Sequence, residues 1–501
     1  MILRFESVVV LCLAAVAAAP LATADPTYKA KVPQSLITAD EVDTEYLGEL
    51  KFRDGFPSDS TVEKSFRFLD TARAVDLFMN AMGATSLYAM LDGHAKIGMK
   101  PNDVGITEGL MNARSLWLTP QTTTPYATGE IDVKNGPVVI ELDTPVLGII
   151  DDAFFLHVSD IGLTGPDKGK GGKYLIVGPG YEGAIPDGFH VVRTKTYRHW
   201  LLMRVFVKDG DVKAAVDAFK AGFHMYPLAM SKKPPKQKFF NLTDKQYNTI
   251  HANDESYFDE LNAVIQYEPA DAFNPEIVGL AASIGIKKGE PFEPDARMKA
   301  ILKEAAAIAN AASRSILFRP RNKEVYFYPD RQWFSPLAGG SSEFLNHGER
   351  VLDDRVMFHY FATGITPAMS QPTVGQGSVY EIAAHDSKGD YLDGGKNYSV
   401  TLPGPIPINN FWSFMVYDGQ TRSILETDQK TGGLDSNSPG LVIDADGSAT
   451  VWFGPKPPEG HEKNWVQTIP GKGFHVLLRL YGPLEPWFDK TWKPGDFTLV
   501  D

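Results

Sequence analysis

Cysteine is nearly absent. The single one in 501 residues, Cys12, lies within the apolar N-terminal run from Val8 to Ala19. Beyond that run the chain can form no disulfide, thiolate nucleophile or cysteine-ligated zinc site. No apolar stretch reaches the roughly 20 residues a membrane span needs. There is no phosphate-binding P-loop, no G-x-S-x-G elbow and no H-E-x-x-H pair, so three common hydrolase chemistries have no sequence support. Gly178 to Gly183 does fit G-x-G-x-x-G. It leads through Ala184 to Gly188 into another strand pattern, whereas a dinucleotide site needs a helix N-terminus there; it reads as a loop. Positive charge is also short, with 49 Lys and Arg against 62 Asp and Glu and a net charge of -13. That balance argues against nucleic acid and anionic membranes as partners and leaves room for one basic pocket. No repeat period or low-complexity tract occurs, and 43% apolar residues is too many for a disordered chain.

The N-terminus has the layout of an export signal: Arg4, the apolar run, then Ala22-Thr23-Ala24 with small residues at both selective positions. The expected cut falls between Ala24 and Asp25, since a cut after Ala19 would place Pro20 at the scissile bond. Leu11 precedes Cys12 where a lipidation signal needs a small residue. The expected location is periplasmic or secreted, with no membrane span in the mature chain. A chain of this length buries enough apolar surface to do without disulfides.

Periodicity organises the rest. Phe68, Ala72, Val75, Met79 and Met82 recur at spacings of three and four, predicting a helix over 65–82. After Pro120 come short strand patterns: 137–142, 154–158, 174–177, 189–192 and 200–207. Gly, Pro and Asp turns separate them, which suggests an antiparallel sandwich. Asp211 caps a predicted helix over 212–223, and Asp295 to Phe318 is the strongest helical pattern. A further helix is expected over 343–363. Strands return at 398–402, 411–417, 441–443, 449–453 and 474–481, with Asp444 to Gly447 as a hairpin turn.

Chemistry-bearing clusters are few. The eleven His residues show no metal spacing, and neither metal nor cofactor is expected. Asp386 to Gly394 alternates carboxylates and glycine, but not in calcium-loop spacing, and reads as a turn. Arg355 and His359 stand at i,i+4, so one helix face presents both, with Asp354 nearby. Trp333, Trp412, Trp465, Trp487 and Trp492 offer either stacking faces for a sugar or core packing.

Several segments carry a family resemblance. Thr124 to Asp132 with Gly136-Pro137-Val138-Val139, Gly171 to Gly180, and Thr194 to Arg204 resemble domain of unknown function 1254. Arg331 to Phe334, Asn409 to Asp418, Asp446 to Ser448, Asn464-Trp465, and Gly473 to Pro483 resemble domain of unknown function 1214. The two form the halves of a bacterial family. After the Tyr417-Asp418 strand, where many members carry an Arg-Tyr pair, this chain has Glu426 to Lys430. The resemblance implies a mainly β fold: an immunoglobulin-like β-sandwich, an α-helical linker region and a jelly-roll-like β-sandwich. The expected organisation is a signal peptide at 1–24, a first sandwich domain with a leading helix at 60–230, a helical linker at 231–322 and a second sandwich at 323–496.

Polar residues inside otherwise apolar signatures suggest a site between the domains. His359 and Asp132 are candidates for proton transfer, and Thr124, Tyr126, Arg204, Arg331 and Arg355 for substrate binding, because arginine forks suit phosphate or carboxylate. The expected function is a hydrolase of a small anionic substrate such as a phosphate ester. The alternative is a non-catalytic envelope protein that binds a carbohydrate or other small ligand. The many strand edges suggest a homodimer.

Overall fold

The computed structural model describes residues 31–337 and 340–500. The expected signal peptide, its cut after Ala24 and Cys12 lie outside the described residues. Two compact units divide between Phe68 and Leu69, within the helix Asp59–Asn80. The first contains a small antiparallel sheet of Glu41–Thr44, Gly48–Arg53 and Phe56–Pro57.

The second unit holds two pairs of stacked sheets and a helical core. In its N-terminal part a six-stranded sheet runs in the order Phe239–Asn241, Val104–Ile106, Tyr126–Asp132, Arg198–Val205, Val146–Asp151, His157–Gly162. A four-stranded sheet of His190–Arg193, Gly172–Val177, Val138–Leu142 and Phe223–Pro227 packs on it. Their shared core includes Ile131, Ile150, Leu201 and Met203 from the first sheet and Ile140, Ile176 and Met225 from the second. In the C-terminal part, Ser378–Ala383, Phe474–Tyr481, Trp412–Asp418 and Gly433–Asp435 form one sheet. It packs on a second of Trp465–Gln467, Ala449–Gly454, Asn397–Leu402 and Thr498–Val500. Pairing is antiparallel in both interiors, with parallel partners at edges such as Gly172–Val177 with His190–Arg193.

Because side chains alternate along a strand, each inner sheet has a second face turned away from its sandwich core. Those outer faces, carrying Tyr126 and Trp200 on one sheet and Ile382, Met415, Tyr417 and Leu477 on the other, join a cluster built around helices. Met82–Lys96, Tyr257–Tyr267, Ala296–Phe318 and Leu352–Phe361 supply Leu87, Leu261, Leu302 and Phe358 to it. Helix therefore extends beyond the expected linker region into both halves of this unit.

Local signals explain much of this. Asp211 Oδ1 accepts from the Ala214 amide at 2.9 Å, capping helix Val212–Gly222 as expected, and Asp295 Oδ1 accepts from the Met298 amide at 2.7 Å, capping Ala296–Phe318 in the same way. Four expectations need correction, and one helix has no counterpart among them. Helix Asp59–Asn80 buries Ala74, Leu77 and Phe78 while Ala72 is exposed, so the apolar stripe lies one position off the expected face. Met82–Lys96 is a helix with no legible period, because it is covered on nearly every side. The expected helix over 343–363 is reduced to Leu352–Phe361, preceded by a hairpin of Leu345–Asn346 and Glu349–Arg350. Residues 441–443 form no strand, and 154–156 turn before the strand His157–Gly162.

The covered helix depends on two close approaches. A Cβ on Gly83 would lie 2.3 Å from the Phe154 carbonyl oxygen, and one on Gly93 2.1 Å from that of Asn248. Gly83→Ala and Gly93→Ala should each lower unfolding free energy by about 1–3 kcal/mol in denaturant titrations. Gly279→Ala, in helix Pro275–Ser283 with nothing within 4 Å of its added methyl, should be neutral or stabilising by roughly 0.5–1 kcal/mol.

Candidate functional site

The outer faces of the two inner sheets meet across a cavity of ≈ 160 Å³. Alternation decides which side chains reach it. Trp200, Leu202 and Arg204 line it, while Leu201, Met203 and Val205 of the same strand point into the sandwich. Leu477 and Arg479 line it, while Val476, Leu478 and Leu480 point the other way. Tyr126 is the direct cross-strand partner of Arg204, and Tyr380 is the direct cross-strand partner of Arg479. Each sheet thus presents one Tyr–Arg pair to the same space.

The end of helix Leu352–Phe361 (Phe358, Phe361) and the following Ala362 to Thr366 close one wall, and Ser335 to Leu337 another. Gly364, at φ 73°, lets this segment pack close, since a Cβ there would lie 2.8 Å from Trp200 and 2.9 Å from Ile149. Exposed Thr164, Ala368 and Gly377 mark where the cavity reaches the surface.

The polar chemistry is one-sided. Among the described lining residues there is no Asp, Glu, Lys or His. Arg479 is 2% exposed; its Nη2 donates to the Thr119 carbonyl at 2.9 Å and to Tyr417 Oη at 2.8 Å. Its Nε and Nη1 have no partner, and neither has the buried Tyr481 Oη. The Tyr126 hydroxyl accepts from the Gln121 amide at 3.2 Å, which leaves its own proton for another acceptor. Both indoles are otherwise engaged: Trp117 Nε1 donates to Tyr247 Oη at 2.9 Å and Trp200 Nε1 to Thr128 Oγ1 at 2.7 Å. Trp117 and Trp200 accordingly offer apolar surface. Burial raises the Tyr380 phenol, but Arg204 and Arg479 beside it outweigh this and hold it below the usual tyrosine range. The site is an array of donors and cations awaiting an acceptor.

Of the residues singled out in the sequence, Tyr126 and Arg204 meet here; the others do not line the cavity. Thr124 belongs to the turn before Tyr126, where Gln121 Nε2 donates to its carbonyl and Oγ1, both at 2.7 Å. Asp132 stands at the far end of Tyr126's strand, about 20 Å away at the usual rise, and accepts from Tyr267 Oη at 2.5 Å. Arg331 pairs with Asp330 at 2.8 Å and donates to the Pro494 carbonyl at 3.3 Å. Arg355 donates to Asn80 Oδ1. His359 shares that helix face but is buried between Phe344 and Phe358, its Nδ1 unpartnered. Burial, with Arg355 and His251 adding, pushes it down to about 3. Its imidazole is thereby held neutral, and it stands outside the cavity lining. Asp354 is raised to about 6 by burial, with Asp353 and Glu324 adding and a hydrogen bond from Asn322 opposing.

Arg479 and Tyr380 were not among the sequence candidates. Their signal was a lone arginine inside an apolar strand, Val476-Leu477-Leu478-Arg479-Leu480, matching Leu201-Leu202-Met203-Arg204-Val205 in the other half. Of the five tryptophans considered as stacking faces, Trp333, Trp412, Trp487 and Trp492 are buried in the C-terminal core. In the Asp386 to Gly394 segment, Asp386 Oδ1 accepts from the Lys388 and Asp390 amides at 2.9 and 3.1 Å, which makes it a turn. Among the described residues no cluster of three or more His, Cys, Asp or Glu could hold a metal, and no helix is long and apolar enough to cross a membrane.

Comparison with known proteins agrees with this two-part construction. Residues 101–227 match the family described as protein of unknown function (DUF1254), and residues 377–485 that described as protein of unknown function (DUF1214), in that order. Tyr126 and Arg204 fall in the first match, Tyr380 and Arg479 in the second. No curated protein matches the sequence. Among solved structures, the VPA0106 protein from Vibrio parahaemolyticus shares the fold, with 15% identity and a TM-score of 0.54 over 86% of this chain and 100% of that one. An uncharacterised protein from Burkholderia cenocepacia aligns at 11% identity and a TM-score of 0.41 over 88% of this chain and 97% of that one.

Behind the cavity, His475 packs among Phe318, Phe361 and Tyr417 with both ring nitrogens unpartnered, and burial pushes it down to about 3. In the unfolded chain it titrates near 6.5. Between these values the unfolded state binds the extra proton, so this group's contribution is lost as pH falls. Relative to wild type, His475→Phe should therefore gain stability from pH 6.5 downward, by about 3 kcal/mol at pH 4, in denaturant midpoints measured across that range.

Proposed function

Since the chain joins a DUF1254 half to a DUF1214 half, and each supplies one Tyr–Arg pair to one cavity, we propose that it is a binding protein for a small organic anion. The observation that carries this reading is the pairing of Arg204 with Arg479 in a cavity whose described lining has no acidic side chain. A buried guanidinium without a counter-charge is costly. A ligand that brings the missing negative charge removes that cost, and Arg479 Nε and Nη1 have no other partner. The reading extends to location and architecture. The leader sequence supports export and a periplasmic or secreted protein. The paired sheets, with cores shared across each pair, support an immunoglobulin-like first sandwich and a jelly-roll-like second one.

Binding is favoured over hydrolysis because the described lining includes no histidine or carboxylate to serve as base. One observation keeps hydrolysis of an anionic ester as a second reading: Tyr380, lowered by two guanidiniums, is the group there best suited to move a proton. Turnover of phosphate or carboxylic esters that disappears in Tyr380→Phe would favour it over binding alone.

Arg204→Met separates function from architecture. It should leave the melting temperature of the ligand-free protein unchanged or higher, while calorimetry shows anion binding weakened at least 100-fold. A variant that binds normally would overturn the assignment. Mass spectrometry of protein exported from a bacterial host should give a mature N-terminus at Asp25; retention of residues 1–24 would remove the basis for the location.

A further inference from the structure

The walls of the cavity specify more than charge. Around the Tyr–Arg pairs the surface is hydrocarbon and aromatic: Trp117, Trp200, Leu147, Ile149, Phe361 and Met369 among others. Its ≈ 160 Å³ is comparable to the roughly 150 Å³ of an apolar cavity that admits benzene. The polar part is small, since the free donors that line the cavity are Arg479 Nε and Nη1 and the Tyr126 hydroxyl proton, with Arg204 beside them.

Two features set the ligand's charge. Phosphate sites draw on helix N-termini, main-chain nests, lysine or arginine, and arginine is the one charged residue type that lines this cavity among the described residues. The long helix that reaches it does so with its other end: Phe358 and Phe361 close helix Leu352–Phe361, and Ala362 to Thr366 follow along the wall. A helix C-terminus carries roughly half a negative charge. It opposes a dianion about twice as strongly as a monoanion. A planar carboxylate also matches the fork of a guanidinium.

We propose that the ligand is an amphipathic monocarboxylate of about benzoate size, its carboxylate held by the two Tyr–Arg pairs and its ring or branched apolar body seated against Trp117 and Trp200. This rests on the anion-binding reading above and narrows it to a ligand class.

Isothermal titration calorimetry on the exported mature chain tests both, with benzoate, phenyl phosphate, inorganic phosphate, benzamide and decanoate as probes. Benzoate is expected to bind at least tenfold more tightly than phenyl phosphate or decanoate and at least 100-fold more tightly than neutral benzamide. Leu202→Trp, which fills the apolar end, should abolish benzoate binding. Its circular dichroism and melting curve report whether it still folds, and Leu202→Phe, with a smaller added volume, should weaken benzoate in the same direction if it does not. Tighter binding of phenyl phosphate or inorganic phosphate would overturn the monocarboxylate and leave anion binding standing. Preference for decanoate would overturn the size. Benzamide equal to benzoate, or no binding by any probe, would overturn both readings.

Discussion

Two guanidinium groups that share one cavity, with no acidic side chain among its described lining residues, constrain everything around them. A charge removed from water must be compensated, or the fold bears several kcal/mol for it. Here neighbouring phenols and carbonyls do part of that work: Tyr417 and the Thr119 carbonyl fix Arg479 from behind, and Tyr380 lies beside both arginines. They orient the cations without neutralising them. Natural proteins keep such arrangements where function needs a field already in place before the ligand arrives.

The second determinant is geometric. A strand buried on one side only would put polar groups toward water. In these inner sheets both faces are covered, one by the partner sheet and one by helices, so the outer row is aromatic and aliphatic with isolated polar residues. That is why Trp200 and Arg204 lie on one row of a strand whose other row is pure core. It is also why helix Met82–Lys96 is apolar nearly all round, with Gly83 and Gly93 admitting carbonyl oxygens from neighbouring segments.

This double coverage sets what the sequence discloses. Strands with turn signals between them, and helices announced by Asp211 and Asp295, are legible because their causes are local. Tyr126 and Arg204 are legible because their polarity breaks an apolar signature. Tyr380 is hidden by an inversion. In Ser378-Val379-Tyr380-Glu381-Ile382-Ala383 the glutamate faces the sandwich core, accepting from Tyr328 Oη and Trp487 Nε1 at 2.9 and 2.7 Å, and burial raises it to about 7. A reader of the alternation would assign the two faces the wrong way round. Arg355 and His359 do share a face, as their spacing requires. What surrounds that face, Asn80 from far along the chain and Phe344 from the segment before the helix, no periodicity encodes.

Because each half of the chain contributes one wall and one cation, neither sheet pair owns a complete receptor. An occupant would rivet the lobes: its head group ties strand to strand across the seam while its body fills the gap behind. Seam rigidity and occupancy then become a single variable, so sequence changes far from the arginines that loosen the contact of the lobes would be felt as lost affinity, and a tight guest would make the two sandwiches melt as one.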